Sequence, residues 1–410
     1  MVQALVFKNA LVIDGTADEP REGTSVVVAN GLIQEVDHTV TVPTGAKVID
    51  CAGYSLLPGL IDAHVHVGAV DVDFGNQARL RPASLISLMM AKRLRHMLDL
   101  GYTTVRDAGG ADWGFRSAVA EGLIPGPDLL ISAAILSQTG GHGDMRQRAE
   151  HDCCQSAVGM VFAIADGVPA VRQAVREQVR QGADFIKVMA SGGAASPTDK
   201  LYCAQYSLEE LQVIVEEAAR ADVYVAAHAL PAVAIEHAVN AGVRTVEHGN
   251  FLTPEIARRM VAAKTALIPT VATYVMAARH PEKYSDPPEV VAKIGMAAEG
   301  AMRAVEAAYE AGVEVGSGSD LLGEEISWLP HEHELRAEIV GAARAIQAAT
   351  ADNASILGLT DRGRIHPGLR ADLLVLRGNP LDSISMLATT ENVLAVTKNG
   401  RLHRLEEQVP

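Results

Sequence analysis

Six polar residues sit where apolar runs end or are interrupted, and together they offer metal-ligand chemistry. The run Leu56–Ile61 leads into Asp62-Ala63-His64-Val65-His66. On a strand, side chains at i and i+2 share a face, so His64 and His66 aim two imidazoles the same way, a means of holding one metal ion. Further on, Lys187 lies within Phe185-Ile186-Lys187-Val188-Met189 and His228 within Ala226-Ala227-His228-Ala229. His248 follows Val246-Glu247, and Asp320 closes Gly316-Ser317-Gly318-Ser319-Asp320. Singly, each has an ordinary structural use: a hydrogen-bonded core histidine, or an aspartate capping the next helix. Lys187 is the exception, because an ammonium amid an apolar strand is costly unless paired or neutralised. Jointly, four histidines, a lysine and a carboxylate make a ligand set for two divalent cations.

The elements that must position these residues follow from the texture of the chain. Up to about residue 57, short β-rich runs alternate with turns, and Asn30-Gly31 between two such runs predicts a hairpin. From His64 the chain alternates alanine-rich helical stretches with short apolar runs: Thr103–Asp107, Leu129–Ala134, Phe185–Ser191, Tyr224–Ala229, Thr245–Gly249, Ala266–Thr273 and Glu314–Asp320. Helices are expected at 84–100, 168–181, 207–221, 232–241, 254–263 and 288–311. With the strand before His64 this predicts an α/β chain whose core is a (β/α)8 TIM-like barrel over residues 58–351. An open doubly wound sheet would want a glycine-rich phosphate loop after its first strand, and none is present. In such a barrel the C-terminal strand ends converge on one mouth, which is where the six residues fall. The C-terminal stretch returns to β-rich runs with an Asn399-Gly400 turn. It is expected to join the N-terminal runs in a small β-sandwich domain, residues 1–57 plus 352–410.

The 410 residues carry 35 basic and 50 acidic side chains, a net charge of −15, which argues against nucleic acid or an acidic membrane surface as partner. The four cysteines, Cys51, Cys153, Cys154 and Cys203, show no C-x-x-C spacing and no disulfide framework. No apolar run approaches the ~20 residues of a membrane span, and Lys8 and Asp14 interrupt the first apolar stretch. The expectation is a soluble, cytoplasmic protein.

The pattern resembles the metal-dependent amidohydrolase superfamily, in its two-metal branch with a carboxylated lysine, over nearly the whole chain. Within it, the stretch 190–199 (Ala-Ser-Gly-Gly-Ala-Ala-Ser-Pro-Thr-Asp), Gln205-Tyr206-Ser207, Gln138-Thr139-Gly140-Gly141-His142-Gly143-Asp144 and Ser319-Asp320-Leu321-Leu322-Gly323 look like the Xaa-Pro dipeptidase and carboxypeptidase-like subgroup, near the fungal ochratoxin-cleaving amidases. The resemblance implies that His64, His66 and Asp320 hold one divalent metal and His228 and His248 a second, zinc suiting both. It implies that Lys187, carrying a carbamate made from CO2, bridges the two. It further implies that Asp320 takes the proton of the attacking water and passes it to the leaving amine.

The substrate class implied is a dipeptide or N-acyl amino acid cut before its C-terminal residue, aromatic amides such as ochratoxin included. Hydrolysis of a cyclic amide of the imidazolone type, or a non-catalytic barrel scaffold, are the competing readings. His142, in a glycine-rich turn, is a candidate substrate or oxyanion contact; Arg106 and Tyr206 are candidates for binding a substrate carboxylate or carbonyl. Leu230 stands where many relatives of that subgroup carry tyrosine, which favours a more apolar pocket. Relatives of this kind are often homo-oligomers, and the same is expected here.

Overall fold

The computed structural model describes residues 3–16, 19–150, 158–193, 199–283 and 288–406. His151, Cys153, Cys154 and the centre of the 190–199 motif lie outside these residues. The N-terminal strands are β1 (Leu5–Val12), β2 (Arg21–Ala29), β3 (Leu32–Asp37), β4 (Lys47–Asp50) and β5 (Tyr54–Pro58). Asn30 and Gly31 turn the chain with φ of 55° and 81°. Two positive φ values are what a type I′ hairpin needs, and β2 and β3 pair antiparallel around it. The first half of β1 pairs with β4 and its end with β5, the ladder breaking at the left-handed Asn9.

Next come β6 (Leu60–Val65), α1 (Phe74–Leu80), α2 (Ala83–Asp99), β7 (Tyr102–Asp107), α3 (Trp113–Ala120), β8 (Asp128–Ile131), β9 (Ile135–Ser137), β10 (Phe162–Ile164) and α4 (Val168–Arg180). They are followed by β11 (Phe185–Met189), α5 (Leu208–Arg220), β12 (Tyr224–Ala229), α6 (Ala232–Ala241), β13 (Thr245–His248), α7 (Pro254–Ala263), β14 (Ala266–Ile268), α8 (Val271–Arg279) and α9 (Pro288–Ala311). The helices α10 (Leu329–Val340), α11 (Ala342–Gln347) and α12 (Asn353–Leu357) precede β15 (Leu373–Arg377), β16 (Val393–Lys398) and β17 (Arg401–Leu405). Local chemistry explains the helices well. In α2, Ile86, Met90, Leu94 and Met97 recur at three- and four-residue steps and are buried. Ser207 and Glu210 form a capping box at the start of α5, and Gly242, at φ 91°, stops α6.

Both ends of the chain meet in one sheet of order β17-β16-β15-β5-β1-β2-β3, with β4 attached to β1. Its buried face is built from Leu5, Phe7, Ile33, Leu56, Leu373 and Leu394, a core of its own. The central strands run parallel in two groups, β6-β7-β8 and β10-β9-β11-β12-β13-β14. Backbone hydrogen bonds link the groups. Asp184 N donates to Ile131 O, Leu267 N to Glu314 O, and Ala63 N to Ser317 O.

Along β11 and β12, Ile186, Val188, Val225, Ala227 and Ala229 face the helices, leaving Lys187 and His228 on the opposite face. Three expected strands come out differently. The run Leu129–Ala134 divides into β8 and β9. The run Ala266–Thr273 stops at Ile268, because Thr270 takes a left-handed conformation and α8 begins at Val271. The segment 314–320 is joined to β14 by a single bridge, Leu267 to Val315. Beyond it, α12 was not expected at all. Its Ala354, Ile356 and Leu357 pack on Ile61, Ala63 and Ile268.

Candidate metal centre

His64 is fully buried at the end of β6, and Asp320 N donates to its carbonyl at 2.8 Å, tying the 314–320 segment to that strand. The Asp62 carboxylate accepts from His64 N at 3.0 Å and Ser319 N at 3.1 Å, so one buried side chain orders the backbones that carry His64 and Asp320. The His64 ring is oriented through Nδ1, 2.6 Å from Glu247 Oε2. Arg106 Nη2 donates to the same oxygen at 2.6 Å. His66 is oriented likewise, its Nδ1 donating to Gly109 O at 2.8 Å. The loop carrying that carbonyl is wrapped on Asp107, which accepts from Val67, Gly109 and Ala111 amides.

With both Nδ1 atoms engaged, the Nε2 atoms of His64 and His66 face Asp320 Oδ1 at 3.6 and 3.4 Å. Donor atoms of these three residues all lie within 4.8 Å of one another. Burial holds both imidazoles well below the usual histidine range, His66 at about 3, with the neighbouring Lys187 adding to the effect. Both are therefore neutral at pH 7, the form that donates a lone pair to a cation. The orienting partners, Glu247 and the Gly109 carbonyl, supply the support a metal-binding histidine needs on its far nitrogen.

Lys187 Nζ lies 3.5 Å from His64 Nε2. Burial pushes its ammonium down, against the pull of Glu247 and Asp320; burial pushes the Asp320 carboxyl up, against Lys187. His228 and His248 meet edge to face behind them, ring centroids 4.6 Å apart, and the His248 centroid is 5.0 Å from that of His64. His228 Nε2 points to Gly192 O at 3.3 Å, leaving Nδ1 for a ligand. His248 Nδ1 lies 2.7 Å from the Thr270 hydroxyl. The six residues converge, and the donor set fits divalent cations.

His142 also reaches the cluster. Its ring stacks on His228 at 4.5 Å, and Asp199 Oδ2 lies 3.5 Å from its Nδ1. Leu230 is fully buried beside the centre, packed with Leu201, Tyr274 and Ala297 and bordered by Phe251 and Ile294. Tyr274 stands edge-on to His248 at 5.6 Å, and Tyr202, half exposed, packs on Phe251 at 5.1 Å.

Two expectations for substrate contacts need correction. Arg106 is wholly buried, away from any substrate. Its donors go to Ala63 O, Thr245 Oγ1 and Glu247, and its guanidinium lies over the Phe185 ring. It sits one layer beneath the ligands and supports Glu247. Tyr206 is 4% exposed and packs among Leu136, Ile186 and Leu211; its hydroxyl senses Asp166 and Glu210, not the histidines.

Sequence reading passed over Glu247, Asp62, Asp107, Thr270 and Asp199. A usable signal existed for the first three, since a carboxylate inside an apolar strand demands a buried partner. None marked Thr270.

A model of the amidohydrolase family matches residues 55–403. Ochratoxinase of Aspergillus niger is 32% identical over 415 aligned positions, covering 96% of this chain and 85% of that protein. The solved structure of a prolidase complexed with N-methylphosphonate-L-proline is 40% identical, covers 98% of this chain and 100% of its own, and has a TM-score of 0.94. A Xaa-Pro dipeptidase with methionine bound in its active site is 27% identical, with 98% and 100% covered and a TM-score of 0.86.

Proposed function

The chain belongs to the amidohydrolase family and is a hydrolase of amide bonds, and from that premise we propose that it cleaves the amide preceding a C-terminal amino acid in dipeptides or N-acyl amino acids. The observation that carries this reading is the convergence of His64 and His66 Nε2 on Asp320, with Lys187, His228 and His248 adjoining. His64, His66 and Asp320 would hold one divalent cation and His228 and His248 a second, zinc suiting nitrogen and carboxylate donors. Lys187 would bridge them as a carbamate. Its depressed basicity favours this, because only the neutral amine attacks CO2. When bound, such cations polarise the substrate carbonyl and make water a nucleophile near neutral pH.

The protein's own groups do the rest. Asp320, its side chain 16% exposed, can receive a proton from water at the carbonyl and return it to the leaving nitrogen. An amide nitrogen leaves only once protonated, so one carboxylate serves both halves of the reaction. His142, oriented by Asp199, is placed to donate to the substrate carbonyl or carboxylate. Leu230, Phe251, Tyr202 and Tyr274 offer an apolar wall to a bulky acyl or side-chain group. The prolidase likeness favours proline as the leaving amino acid, and the ochratoxinase likeness favours an aromatic amide of the ochratoxin kind.

On this reading the parallel strands and the 314–320 segment close one (β/α)8 barrel over residues 58–351. Residues 1–57 plus 352–410 would form the small β sandwich by folding their one sheet over its own core, and α12, within the second stretch, seals the barrel. The bonds from Asp184, Leu267 and Ala63 support the closure. Among the described residues no helix is long and apolar enough to cross a membrane. We place the enzyme in the cytoplasm as a homo-oligomer, the exposed Leu80 and Leu88 being candidate contacts.

The test is metal analysis of zinc-loaded protein together with amino-acid release from a panel varying the C-terminal residue and the acyl group. About two metals per chain and release of one amino-acid class are expected. Preference for cyclic amides would overturn the substrate assignment, and neither metal nor turnover would leave a scaffold.

A further inference from the structure

The N-terminus of α8 is capped in an unusual way. Thr270 occupies the cap position, at φ 45° and ψ 55°, and makes no side-chain cap bond to the helix. A β-branched residue rarely adopts that left-handed conformation. Its hydroxyl is committed elsewhere, 2.7 Å from His248 Nδ1. The helix amides left open are instead met by a carboxylate from another helix. Glu332 of α10, 2% exposed, accepts from Ala272 N at 2.8 Å, and Val271 N also donates to it. An anion is favoured there by the unpaired amides and the helix dipole. Glu332 is itself steadied from one turn on. Arg336, wholly buried, lies 3.8 Å away and donates to the Tyr309 hydroxyl.

We propose that Glu332 is a positioning residue for the metal centre, capping α8 in place of Thr270 so that the Thr270 hydroxyl is free to set the His248 ring. The chain of contacts runs Arg336, Glu332, the Val271–Ala272 amides, Thr270, His248. It explains why a strained threonine is tolerated where a strand passes into a helix, because the strain turns the hydroxyl back toward the histidine. The proposal rests on the reading of this cluster as a hydrolytic metal centre only in its consequence for turnover, not in its effect on the ring.

The experiment has two arms. In metal-free protein, the His248 imidazole nitrogen resonances, assigned with a His248→Asn control, are compared in wild type, Glu332→Ala, Glu332→Gln and Thr270→Val. Glu332→Ala and Thr270→Val should both move the His248 signal and leave that of His66 in place. Glu332→Gln, which keeps one acceptor oxygen and folds more readily, should move it less. In the zinc-loaded enzyme, Glu332→Ala and Thr270→Val should each weaken zinc binding in a chelator competition and lower kcat/KM by about 10²-fold, the cost of a displaced ligand. Combined, they should be no worse than the worse single change, since both act through one ring. A Glu332→Ala protein that melts earlier with His248 and zinc affinity unmoved would overturn the proposal, as would fully additive losses. Wild type that neither binds zinc nor hydrolyses amides, while His248 still responds to Glu332, would sink the proposed function and leave the positioning role standing.

Discussion

At the scale of single residues, the centre is a column of polar groups inside an otherwise apolar interior. Lys187 touches His64, His64 touches Glu247, and Glu247 touches Arg106. Removing one partner from a buried ion pair leaves the other charge uncompensated, at a cost of ~3–5 kcal/mol. Arg106→Met should therefore destabilise the protein by about that much in urea unfolding. Adding Glu247→Gln to it should recover part of the loss by removing the stranded charge. If Arg106 served a substrate instead, stability would hold and only KM would rise. His142 has its own probe. A Cβ on Gly193 would collide with the His142 ring, so Gly193→Ala should push that ring off His228. The expected result is a fall in kcat/KM of tenfold or more with the melting temperature nearly unchanged; unaltered kinetics would remove His142 from the reaction. The six converging positions were legible because polar side chains inside apolar runs stand out. Glu247 was not. Strict alternation sends Glu247 and its neighbour His248 to opposite faces, and only the positive φ of His248, 71°, turns that ring toward His64 and His228. Sequence periodicity carries no sign of such a reversal.

Among the elements, the 314–320 segment does the most with the least regular structure. It carries Asp320 yet pairs with β14 through one bridge, so its position depends on a few backbone bonds to β6 and β14 and on buried side chains. Asn353 at the start of α12 is the main one. Its Nδ2 donates to Ile61 O at 2.6 Å and Ser317 O at 2.7 Å, and its Oδ1 accepts from Ser317 N at 2.9 Å. One buried amide thus joins β6 to the Asp320 segment. Asn353→Ala should cost about 2–4 kcal/mol through three unsatisfied backbone groups. It should also weaken zinc binding, because His64 and Asp320 lose their common anchor; a purely thermal effect with normal metal affinity would contradict this. Much at this scale was readable beforehand. The Asn30-Gly31 hairpin and the helices near 84–100, 168–181, 207–221, 232–241, 254–263 and 288–311 follow from turn chemistry and three-to-four spacing. What escaped were α1, α3, α8 and the helices after residue 328. Val271, Ala272, Tyr274, Met276 and Ala277 of α8 are all buried, and a short, largely buried helix reads as a strand when only its apolar run is visible.

For the whole molecule, the question is how a sheet woven from both chain ends is held to the strands that carry the chemistry. The join is ionic as well as apolar. Asp128, at the start of β8, receives Arg362 at 2.9 Å, Arg370 at 2.8 Å and Lys398 at 2.9 Å, all from the C-terminal part of the chain. A surplus of acidic residues spread along 410 positions gave no hint of this cluster, since Asp128 lies more than two hundred residues from each of its three cations. Burial alone would raise the Asp128 carboxyl, but the cations around it, Lys398 and Arg370 foremost, pull it down to about 2. An unfolded chain has the group near ~3.9. A carboxyl depressed on folding contributes stability that is fully present above its unfolded value and is lost as pH falls toward the folded one. The window is therefore about pH 4 down to about pH 2. The shift is worth at most ~2.5 kcal/mol, and nearer 2 after allowing for a side chain still 29% exposed. Urea unfolding of wild type and Asp128→Asn should show wild type ahead by about that amount at pH 6. The gap should close progressively between pH 4 and pH 2, as the wild-type carboxyl takes up its proton and comes to resemble the amide. A gap that stayed constant through that window would mean that the contact between the terminal sheet and β8 is held by its apolar packing, with the ion cluster contributing nothing that titrates.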